Sequence, residues 1–150
     1  MKRLAACLLA ALALGTAGAA TFPVDEIGTF PQGSNAAMKW RQIAPSRGGD
    51  NTVEATVAVN VRLNLAPFRN KTGKLYMALP QQPVTPVTVS WTTQGRLLPG
   101  QLVSGQRGLV YAGPILLPLL EETLLLKIEA DGTRLSSSQN LDFHFEIDID

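Results

Sequence analysis

His144 is the single histidine of the chain, and it stands between two acids in Asp142-Phe143-His144-Phe145-Glu146. An imidazole with carboxylates at i−2 and i+2 has the composition of a metal site, or of a general base with its orienting acid. The spacing argues against both. Side chains two residues apart on a strand are ~6.5 to 7 Å apart, so Asp142 and Glu146 stand about 13 Å from each other and cannot easily meet on one ion at ligand bonds of ~2 Å. A solvated strand face is the expectation for all three.

Other nucleophiles and acids fare no better. Ser136-Ser137-Ser138 lacks the G-x-S-x-G elbow, and the one cysteine, Cys7, lies in the leader described below. Glu121 and Glu122 are adjacent ahead of an expected strand and point to opposite sides, which is poor geometry for a hydrolase pair. No phosphate loop occurs, and Gly95, Gly100, Gly105, Gly108 and Gly113 are spaced as turns. The expectation is a non-enzymatic protein with no catalytic residue, no metal ligand and no cofactor.

Binding residues are the remaining candidates. Trp40 sits between Lys39 and Arg41 in an irregular stretch, and with Arg47, Arg69 and Lys71 it forms the candidate partner-binding set Trp40, Arg41, Arg47, Arg69 and Lys71, a basic loop surface suited to an anionic target. Trp91 shares a strand face with Val87 and Val89 and is expected in the core. Asn70-Lys71-Thr72 spells a glycosylation acceptor, but the leader looks bacterial and the match is read as chance.

The elements that must position these residues read as strands. From Thr52 to Leu65, Val53, Ala55, Val57, Val59, Val61, Leu63 and Leu65 alternate with mostly polar residues, a period of two with one face on a core. Leu141, Phe143, Phe145, Ile147 and Ile149 repeat the pattern to the chain's end. Shorter runs cover Lys74 to Leu79, Val84 to Trp91, Leu97 to Val103, Gly108 to Ala112 and Thr123 to Ala130. Asp131-Gly132 signals a hairpin, and Pro86 and Pro99 belong at edges or bulges. Ile115 to Leu126, broken by Pro118, reads as a loop leading into a strand. About seven strands with no long helix imply an all-β fold: a two-sheet antiparallel β-sandwich, immunoglobulin-like in architecture, with a small β-barrel as the second solution.

The address is written at the start. Met1-Lys2-Arg3, the apolar run Leu4 to Leu14 and the small residues Gly15 to Ala19 have the order of a cleavable secretory signal peptide, residues 1–19, with the cut after Ala19. Leu4-Ala5-Ala6-Cys7 resembles a lipoprotein box in the wrong place, since the apolar run follows it. Residues 20–150 then form one domain, with an irregular segment at 20–51 holding a possible edge strand and a sandwich core at 52–150. No transmembrane segment is expected after the leader is removed, and the location is periplasmic or extracellular.

Charge excludes one class of partner. Without Lys2 and Arg3 the thirteen basic residues fall to eleven against twelve acidic ones, so nucleic acid is not expected. The middle of the chain is basic and its end acidic. That layout suits either pairing within the fold or head-to-tail association. Over Val87 to Trp91 and Leu141 to Ile149 the chain loosely resembles subunits of bacterial surface fibres (pili or fimbriae), exported sandwiches that join by donating a strand. Phe22, Val24, Gly28 and Phe30 follow the alternation the resemblance implies for a donated N-terminal strand, with Glu26 interrupting it. The expected function is protein-protein contact in the bacterial envelope, with an envelope protein or by self-association. A periplasmic ligand-binding or inhibitory domain is the alternative.

Overall fold

The computed structural model describes residues 18–33, 36–43, 47–135 and 141–150. The basic and apolar parts of the leader, Cys7 and the Ser136 to Ser138 run lie outside them. Ten strands follow in order: β1 (Ala20–Pro23), β2 (Phe30–Pro31), β3 (Lys39–Trp40), β4 (Thr52–Asn64), β5 (Thr72–Ala78), β6 (Val87–Thr93), β7 (Gly100–Val103), β8 (Arg107–Pro114), β9 (Leu119–Asp131) and β10 (His144–Ile149). A single 3₁₀ turn, Ala66–Phe68, separates β4 from β5.

They form two antiparallel sheets packed face to face. One has the order β1-β10-β5-β8; in the other β2 and β3 both lie on the outer edge of β4, followed by β9, β6 and β7. β4 and β9 pair along their full lengths, from Thr52↔Asp131 to Asn64↔Leu119. Their inward rows are the alternating apolar residues of the sequence, and the valines suit this pleated surface. Leu63, Leu75, Val89, Val110 and Ile147 are fully enclosed between the sheets.

Trp91 anchors the end of the sandwich where β7 and β8 meet. Its ring is 2 % exposed and its Nε1–H donates to the Leu98 carbonyl at 2.8 Å. Gly100 and Gly108 let the backbone approach the ring: a Cβ at either would stand 2.6 Å from an indole carbon. Main-chain bonds between Leu98 and Val110 (2.7 Å) and between Gly105 and Leu79 (2.8 Å) close this side.

The opposite side is more open, and its two edges carry prolines. Val24 N–H donates to the Phe145 carbonyl, so the antiparallel alternation turns the backbone of Thr21 and Pro23 outward. Gln32 N–H donates to Ala58, which in the same way turns Pro31 outward. Neither proline has an N–H to offer, and both edges are blunted against strand addition.

Three expectations need correction. Asp131-Gly132 makes no hairpin: both edges of β9 are taken by β4 and β6, and the Asp131 carboxylate instead accepts from Thr133 N–H at 3.0 Å in an Asx turn that sends the chain to the other sheet. Pro86 precedes β6, which is an inner strand and not an edge. Val57 and Val59, expected in the closed core, are only half-buried, because the shorter sheet stops before it covers the middle of β4.

Candidate functional site

The five candidate residues do not form one surface. Trp40 and Arg41 lie at the β3 end of β4, opposite Val53 and Thr52, and Arg47 lies in the turn that follows. Arg69 and Lys71 lie beyond the other end. From Val53 to Asn64 a strand rises about 35 Å, so the two groups are a domain length apart.

At the first end, Arg41 is already engaged. Arg41 pairs with Asp50 (3.5 Å), Glu54 (3.2 Å) and Glu129, and Lys127 reaches both Glu54 and Glu129 at 3.0 Å. Hydrogen bonds from Lys127 and Arg41 hold the Glu54 carboxyl below its ordinary range. Trp40 is 40 % exposed, and its ring lies so close to Gly132 that a Cβ there would stand 2.5 Å from it.

Charge is used in the same way elsewhere. Arg62 meets Glu121 at 3.0 Å, and Arg107 lies over the Tyr76 ring and grips Asp148 through both nitrogens at 3.0 and 2.9 Å. Those bonds, with one from Thr21 in β1, hold the Asp148 carboxyl below its ordinary range. The basic middle and the acidic end therefore pair within the fold through Arg41, Arg62 and Arg107. His144 Nε2 lies 3.1 Å from Glu146, half-buried beside this network. Among the described residues no three His, Cys, Asp or Glu side chains converge as metal ligands. No described helix is long and apolar enough to cross a membrane.

The second end is different. Ile115 N–H donates to the Lys71 carbonyl and Asn70 N–H to the Ile115 carbonyl, both at 2.8 Å, so the 69–71 turn and the loop after β8 are stitched together. Asn70 takes a left-handed conformation (φ 64°), a role its short polar side chain suits, which gives the Asn-Lys-Thr triplet a structural purpose. Ile115 is buried and fixes the loop, while Leu116 and Leu117 project at 65 % and 42 % exposure between Pro114 and Pro118. Arg69 and Lys71 are exposed beside them, and Arg96 lines a small hollow with Tyr111 and Leu116. Two exposed leucines on a loop tied by main-chain bonds, with a basic rim, make a candidate docking patch.

The sequence reading placed a loop here and named Arg69 and Lys71, but it did not single out Leu116 and Leu117. It also missed an apolar cleft of about 1010 Å³ between the sheets on their open side, floored by β4 and β9. No protein-family model, no curated protein and no solved structure matches the chain.

Proposed function

We propose that this is an exported, non-enzymatic sandwich that acts by contact with a protein in the bacterial envelope. The observation that carries the reading is the exposed Leu116-Leu117 pair, held rigid by two main-chain bonds to the 69–71 turn and rimmed by Arg69, Lys71 and Arg96. Ordering costs are already met in such a loop, so burying the two leucines contributes directly to binding. The partner surface that fits is an apolar pocket with an acidic rim. In its finer form the protein is a subunit or accessory of a surface fibre, a reading supported by the leader and by the sandwich architecture.

A photo-crosslinking residue at position 117, in the producing cells, should capture an envelope protein, and one at Thr56 should not. Leu116→Ser should weaken capture without changing the melting temperature. Capture of further copies of the chain in a ladder would select the fibre form. No crosslink from position 117 refutes the reading.

A further inference from the structure

The cleft on the open side lies outside the docking patch and has its own chemistry. Val57 and Val59 of β4 and Leu126 and Ile128 of β9 make its floor, and Met77 and Phe143 line it from the other sheet's side. Its volume of about 1010 Å³ is at the upper end of the ~300 to 1,000 Å³ of small-molecule sites, which are likewise mostly apolar with a few polar groups fixing orientation. Among the described residues that line it the polar side chains are Glu26, Thr29 and Asp142, with no lysine or arginine. One oxygen of Glu26 is enclosed with no hydrogen-bond partner, an arrangement that costs free energy unless a donor arrives. An anionic head would meet two carboxyl groups and, among the described residues that line the cleft, no lysine or arginine. A positive head would pair with Glu26 while its tail covered the half-exposed valines.

From this complementarity we propose that the cleft binds a single-chain amphiphile, with a hydrocarbon tail between the sheets and a cationic head at Glu26. Burial raises the Glu26 carboxyl above its ordinary value, against the opposing influence of His144; Asp25 adds to the rise. A cation seated there would oppose that rise, as His144 and a main-chain hydrogen bond from Phe145 already do. The edge prolines beside the cleft favour such a ligand over a peptide, which would need main-chain partners on β1 or β2.

The test uses dodecylamine, dodecanol and dodecanoate as probes, each below its micelle concentration, titrated into the purified protein by calorimetry at neutral pH. Dodecylammonium should bind at least about tenfold more tightly than dodecanoate, as a desolvated charge pair provides. Glu26→Gln should remove most of that preference while the alcohol still binds. Val59→Trp, which fills the cleft, should abolish binding of all three; Val57→Phe serves the same purpose if the first variant fails to fold. Equal affinity for the amine and the carboxylate overturns the proposal, as does an absence of binding or unchanged binding in the filled variants. Crosslinking at position 117 is independent of all these outcomes.

Discussion

Glu122 offers the sharpest check on the register of β9, because its neighbour Glu121 differs only in which way it points. Glu122 falls in the inward row and its carboxylate accepts from Thr93 Oγ1, Gly95 N–H (3.1 Å), Arg96 N–H (2.8 Å) and Leu97 N–H (3.1 Å), tying down the turn between β6 and β7. Glu122→Ala orphans these donors unequally. Gly95 and Arg96 are exposed and regain water at little cost, whereas Leu97 is buried and its bond to a charged acceptor is worth ~1.5 to 3 kcal/mol. With a smaller loss at Thr93, the expected destabilisation is about 2 to 3 kcal/mol, against a total of ~5 to 15. Glu121→Ala removes only an exposed pair with Arg62, worth ~0.2 to 1 kcal/mol. Urea unfolding followed by tryptophan fluorescence reads the difference, since the 95–98 turn also holds the Trp91 indole. At a slope of ~1 to 3 kcal/mol per molar, the Glu122 variant should lose about 0.7 to 3 M in midpoint. A Glu121 variant as damaged as the Glu122 variant would refute the register of β9 and the account of the turn.

Arg107→Gln should make the protein acid-sensitive. The Asp148 carboxyl is held below its ordinary 3.8 chiefly by Arg107, so its contribution is present above that value and is lost as pH falls through the lower folded value. Removing Arg107 moves the acid-unfolding midpoint upward, which circular dichroism against pH will show. Phe145→Asp, at a site 3 % exposed, should abolish folding, while Val57→Asp, facing the cleft, should leave a folded protein of lowered melting temperature. Gly108→Val should cost ~1 to 3 kcal/mol and shift the Trp91 emission, by driving a side chain into the indole.

Periodicity made β4 and β10 legible, because a side-chain repeat of two is a local property that burial on one face enforces, and turn residues bounded the runs of β5 to β9. The inward position of Trp91, with Val87 and Val89, followed from the same rule. The paired register of β4 and β9 did not, since which strands become neighbours depends on long-range closure. The Asp131-Gly132 turn misled for that reason: its residues specify a reversal of the chain, not what the reversed chain pairs with. Which side chains of the 114–118 loop face water was hidden by composition. Ile115, Leu116 and Leu117 are alike as residue types, and only the bonds to the 69–71 turn decide that the first is buried while the other two face water. Arg41 shows the converse. Its place beside Trp40 suggested a binding surface, and three carboxylates from β4, β9 and the preceding turn occupy it.

The same internal pairing bears on how the contact proposed above would be made. A basic middle and an acidic end promote head-to-tail association only as far as the charges remain available, and three of the nine basic residues from Lys39 to Arg107, namely Arg41, Arg62 and Arg107, are engaged with Glu129, Glu121 and Asp148 within one chain. Strand addition at the open side is hindered in parallel, since Pro23 and Pro31 stand where a donor would be needed. What these two devices leave is side-chain contact. On the described surface, the Leu116-Leu117 loop combines exposed apolar area with cations that have no ion pair among the described residues, Arg69, Lys71 and Arg96. Apolar burial at its centre makes the affinity weakly dependent on salt, while the rim charges govern the association rate. Binding through this loop should therefore keep most of its equilibrium strength at high ionic strength and lose mainly its speed, the opposite of what a charge-driven head-to-tail contact requires.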